Sequence, residues 1–166
     1  MKIDIIEHLA AFITLCLAQV LILNHINLFG CATPLLYVYF ILMFRRGFPR
    51  LAIMLWSFML GLCIDMFSNT PGVAASSCTI LGFTQPYILN IFMTRDSAED
   101  LKPSMRTLGV GKYIWYMLLG VFVYNVLFFT TETFNFFNWQ QWLMDIGGST
   151  VLTALIITVI DNLRRK

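Results

Sequence analysis

The chain has 166 residues, 58% of them apolar and only 12% charged, with a net charge of +2 and a mean hydropathy of +0.76. Soluble domains carry about 25% charged residues, so the composition excludes an ordinary soluble fold and predicts an integral membrane protein. The length fits a single membrane domain over 1–166, and nucleic acid is not an expected partner.

The N-terminal stretch Met1-Lys2-Ile3-Asp4-Ile5-Ile6-Glu7-His8 has one Lys and two acids ahead of the apolar run. No small-residue cleavage site follows it, which predicts a retained first helix rather than a removed signal. Six apolar segments follow in order, over 5–24, 30–44, 51–67, 72–93, 112–131 and 142–161. A spanning helix needs about 20 residues, within a range of roughly 17–25. The second segment is short and contains Pro34, so it is expected to begin nearer Ile26 or to lie tilted. The fourth contains Gln85-Pro86, which predicts a kink and a freed backbone carbonyl. The predicted fold class is therefore all-α: a polytopic membrane protein with six transmembrane helices.

Charge fixes the predicted orientation. Lys2 precedes the first segment; Arg45, Arg46 and Arg50 separate the second and third; Arg95, Lys102, Arg106 and Lys112 separate the fourth and fifth; Arg164, Arg165 and Lys166 close the sequence. With six crossings all 11 basic residues lie on one side. That is the positive-inside pattern, and it puts both termini in the cytoplasm with Arg45, Arg46, Arg50, Arg164, Arg165 and Lys166 as basic anchors. The outer loop over 131–142 is aromatic. Phe134, Phe136, Phe137, Trp139 and Trp142 read either as an interfacial aromatic belt or as a surface for a partner's membrane-proximal segment. The inner loop over 94–112 mixes acids and bases, as a solvated loop or a docking site for a cytoplasmic protein does.

Asp65 is the only charge between Leu51 and Phe67. A charged side chain at the centre of a spanning helix costs about 2.5–3.5 kcal/mol on insertion scales and normally faces a partner or a polar cavity. Asp65 is 15 residues beyond Arg50, or roughly 22 Å into a core of about 30 Å. It therefore belongs near the outer boundary, beside the turn sequence Ser68-Asn69-Thr70-Pro71-Gly72. Three roles fit: accepting hydrogen bonds from that turn, for instance from backbone N–H groups near Asn69 or the start of the fourth segment; meeting another chain; or acting in a proton or substrate path.

The fourth segment opens with small residues, and Gly72, Ser76, Thr79 and Gly82 fall on one helical stripe; Thr150, Ala154 and Thr158 form a ridge on the sixth. Such stripes let helices approach closely, either within the protomer or at a homodimer or partner-helix interface. Cys16, Cys31, Cys63 and Cys78 lie in or beside apolar segments without metal spacing, and read as small hydrophobes. His8 and His25 lack a second ligand at helical spacing. Catalytic signatures are absent, so neither an enzyme nor a cofactor or metal is expected.

Gly61-Leu62-x-x-Asp65, followed by Thr70-Pro71-Gly72 and a small-residue helix, resembles the rod-shape-determining membrane protein MreD family. The six-helix layout and the Arg164-Arg165-Lys166 ending extend the resemblance along the chain. It implies a bacterial inner-membrane scaffold without catalytic activity. Such a protein would bind a single-span MreC-type protein and, directly or through it, couple an MreB-type filament to the cell-wall synthases. The helical layout is also similar to the substrate-binding S components of energy-coupling-factor vitamin transporters, a rival of a different class. Those subunits dock through Ala-x-x-x-Ala in the first helix, whereas this chain has Ala10, Ala11 and Ala18 there and no Ala-x-x-x-Ala.

Overall fold

The computed structural model describes residues 2–21, 33–93, 101–133 and 139–164, and all regular structure among them is helical. The helices are α1 (Lys2–Leu21), α2 (Val38–Leu42), α3 (Arg50–Ser68), α4 (Val73–Phe92), α5 (Met105–Leu108), α6 (Val110–Thr133) and α7 (Trp139–Arg164). Neighbours pack in the order α1, α3, α4, α6, α7, with α2 against α1, α4 and α6.

Three of these helices, α3, α6 and α7, are long and apolar enough to cross a membrane. Their outward residues are apolar too, among them Leu51, Leu55, Met66, Trp115, Val151 and Leu155. An apolar surface on this scale belongs against lipid or another chain rather than water. α1 contributes an apolar run over His8–Leu21. α4 has 20 residues but carries Ser76, Ser77, Thr84, Gln85 and Asn90, which lower its hydropathy.

α3 starts where Pro49 takes an extended conformation, and Ala52 and Ile53 donate to the Pro49 carbonyl at 2.9 and 3.1 Å. It ends at Asn69, whose φ of 58° is left-handed. Asn tolerates that region better than most residues.

The second segment departs from expectation. No continuous helix covers its described residues: 33–37 are non-helical, and α2 is five residues long. Pro34 supplies no N–H and biases the preceding residue away from the helical region. This broken stretch is nonetheless the centre of the molecule, with every residue from Leu35 to Leu42 buried. At Gln85-Pro86, where a kink is expected, α4 continues as one helix from Val73 to Phe92 with Pro86 inside it. The ends also differ, since α6 reaches Thr133 and α7 begins at Trp139, so helix replaces much of the expected outer loop. Residues 22–32 and 94–100 lie outside the described residues.

Candidate functional site

The α3–α4 turn is built on one carboxylate. Asp65 is 5% exposed, in the last turn of α3. Its Oδ1 accepts from the Ala74 N–H at 2.9 Å and the Thr70 hydroxyl at 3.1 Å. Its Oδ2 accepts from the Ala75 N–H at 2.9 Å and the Gly72 N–H at 3.1 Å. The first amides of a helix have no partner within it, and the N-terminus carries partial positive charge. An N-cap side chain normally meets both needs. Here the N-cap is Gly72, left-handed at φ 85° and without a side chain, so the preceding helix supplies the cap. The Asp65 carbonyl also accepts from the Asn69 N–H, closing α3. One residue thus ends one helix and starts the next.

Gly61 makes this reach possible. It lies one turn before Asp65 on the same face, and a Cβ there would stand 2.5 Å from the Ala75 Cα and 2.7 Å from the Ala74 oxygen. Any side chain would push α4 off the carboxylate. Further along the interface, a Cβ on Gly82 would meet the Ser57 hydroxyl at 2.6 Å.

A second polar system holds the broken 33–44 segment. Gln19 of α1 accepts from the Leu36 N–H and donates to the Pro34 carbonyl, both at 3.0 Å. On α7, Ser149 accepts from the Thr33 N–H at 3.2 Å and Thr153 from the Leu35 N–H at 3.1 Å. At the other end, Tyr116 donates to the Leu42 carbonyl at 3.0 Å and Gln85 to the Phe44 carbonyl at 3.1 Å. Tyr37 and Tyr124 join hydroxyls between these ends, with rings 5.6 Å apart and edge to face. Non-helical backbone is tolerated at membrane depth only where protein or water satisfies it. Four elements do so here.

Sequence reasoning did not single out Gln19, Tyr116, Tyr124, Ser149 or Thr153. The available signal was a Gln in the apolar first helix and a Ser/Thr pair four residues apart on α7, one helical face. The expected α7 ridge is its neighbour: Thr150 is buried and accepts from the Asn125 amide at 2.8 Å, while Ala154 and Thr158 are half-buried. On α4, Gly82 is buried in the α3 interface and Thr79 half-buried, but Ser76 faces outward and donates to the Val73 carbonyl. The packing face therefore runs through Ala75, Cys78 and Gly82 instead.

Thr70 is half-buried, and Pro71 and Gly72 are exposed at the tip of the turn. Trp139 is exposed and Trp142 half-buried; Phe134, Phe136 and Phe137 lie outside the described residues. Arg50 is exposed and donates to the Tyr87 hydroxyl at 3.1 Å, with Arg45 and Arg46 half-buried nearby in sequence. Arg164 ends α7, and Arg165 and Lys166 fall outside the described residues.

Fold and composition define an all-helical protein of membrane type. Comparison with known protein families, curated proteins and solved structures returns no match for this chain.

Proposed function

We propose that the chain is a non-enzymatic scaffold of the bacterial wall-elongation machinery, of the MreD type. In this reading it crosses the inner membrane six times with both termini in the cytoplasm. It binds a single-span MreC-type partner and, directly or through it, an MreB-type filament and the wall synthases. The observation that carries the reading is the state of Asp65. An intramembrane carboxylate in a transporter or enzyme needs lone pairs for cargo or protons; both oxygens of Asp65 are occupied by the hairpin. The residues that carry the resemblance to MreD, Gly61, Asp65, Thr70 and Gly72, are the ones that build that hairpin. A rigid helical hairpin suits an adaptor.

Co-expression with a single-span MreC-type protein, followed by purification in mild detergent, tests this. The two chains are expected to copurify, with recovery reduced in Asp65→Ala while membrane insertion persists. Failure of the wild type to copurify, together with one vitamin-sized molecule retained per chain, would overturn the scaffold reading in favour of a transporter S component.

A further inference from the structure

Two cysteines meet across a helix interface. Cys16 of α1 is buried and Cys63 of α3 is half-buried, and their thiols are hydrogen-bond neighbours. The contact lies where α1 packs on α3. Nearer the start of both helices, the rings of Phe12 and Trp56 stand 5.9 Å apart, edge to face. The two contacts advance together along α1 and α3, which therefore run the same way. At 1.5 Å per residue each cysteine stands roughly 20 Å along its helix, so the pair is level. Cys78 is buried elsewhere, its sulfur 4.0 Å from the Tyr124 hydroxyl. Cys31 lies outside the described residues.

The position of the pair matters to the broken segment. Gln19, which holds the Leu36 N–H and the Pro34 carbonyl, lies one turn beyond Cys16 on the same face of α1. A covalent link at Cys16 therefore fixes the helix that carries this clamp. It also closes a loop of chain that encloses all of residues 33–44. Closing such a loop restricts the opened chain and so favours the packed form.

We propose that Cys16 and Cys63 form a reversible disulfide that clasps α1 to α3 and sets how firmly the 33–44 stretch is held. The oxidant is a second disulfide, taken up by exchange. The more open Cys63 attacks it as the thiolate; one of its sulfurs bonds to Cys63 and the other leaves as a thiol. The Cys16 thiolate then displaces the bound sulfur, which leaves as a second thiol. Two cysteines are oxidised, one external disulfide is reduced, and the two protons lost by the cysteines pass to the departing sulfurs. Excess dithiol runs the exchange backwards. The inference stands apart from the scaffold reading, because it needs neither a partner protein nor a particular topology.

The test uses the full chain in nanodiscs, first reduced and then given one equivalent of dithiodipyridine, an apolar disulfide whose thiopyridone product is read by absorbance. Two thiopyridones per chain are expected, and mass spectrometry should find the Cys16 and Cys63 peptides linked once the remaining thiols are blocked. The Leu36 amide should then exchange about tenfold more slowly than in the reduced protein, and dithiothreitol should restore the reduced rate. Cys16→Ser should release a single thiopyridone and keep the other half of the reagent attached. A wild type that keeps the reagent attached, links a different pair of cysteines or links two chains would overturn the proposal. So would an oxidised protein whose Leu36 amide exchanges at the reduced rate.

Discussion

At the scale of single residues, Asp65 and Gly61 act as a pair. Asp65 is held by two fully sheltered amides, a turn amide and a hydroxyl, and hydrogen bonds to a charged group contribute about 1.5–3 kcal/mol each. Asp65→Asn keeps the shape but turns an NH2 towards backbone N–H donors. The expected loss is about 3 kcal/mol, or a fall of about 6–12 °C in unfolding midpoint at this size. Thermal unfolding in nanodiscs measures it; an Asn variant as stable as the wild type would mean the charge does not hold the hairpin. Gly61→Ala forces backbone against backbone, since the clashing atoms are the Ala75 Cα and Ala74 oxygen. Overpacking of this sort costs about 1–3 kcal/mol, so its midpoint should also fall. Gly120→Ala should be milder, because the atoms met there belong to the movable Leu42 side chain. The importance of Asp65 was legible from a lone charge ahead of a turn. So was its work as an acceptor, since backbone amides at the start of the fourth segment, packed closely on the third at Gly61, are expected donors, and Gly72, Ala74 and Ala75 supply such amides. The full set of four was not, because it depends on how the two helices meet.

Among the elements, the 33–44 segment departs most from its sequence signal. An apolar run of that length reads as helix by hydropathy alone, and Pro34 is the one local mark against it. What makes the broken form stable is remote: Gln19 is 15 residues away from Pro34, Thr153 is 118 from Leu35, and Tyr116 is 74 from Leu42. No local pattern reveals such pairings. The continuous helices, by contrast, were legible, since α3 lies within about one residue of its apolar segment. Gln19→Leu removes both bonds of a buried clamp and leaves the Leu36 N–H and Pro34 carbonyl unpaired. Each stranded group costs about 1–3 kcal/mol. Hydrogen exchange should then show the Leu36 amide opening faster by about tenfold or more, while amides in α6 keep their protection. Unchanged exchange at Leu36 would show that the clamp does not hold the segment.

For the whole molecule, an apolar core that also holds several buried polar side chains sits inside an exterior that is itself apolar, unlike the polar surface of a soluble protein. Buried Gln19, Asp65, Gln85, Asn125, Ser149 and Thr153 tie together helices whose outer faces are Leu, Ile, Phe and Trp. Interhelical hydrogen bonds and small-residue contacts hold helices together where lipid removes the hydrophobic drive. The class of protein, an all-helical chain of membrane type, was therefore legible from composition. In the proposed six-crossing topology, the broken 33–44 stretch counts as a crossing although it is no spanning helix.

Cysteine labelling in intact cells decides this most directly. An impermeant maleimide is applied to single cysteines at Gly47, Asn69, Arg106 and Gln140 in a cysteine-free background carrying an N-terminal tag. Positions 69 and 140 should label from outside, whereas 47, 106 and the tag should become accessible only after permeabilisation. A tag on the side opposite Gly47 would mean that residues 2–47 cross once rather than twice, contradicting the six-crossing architecture.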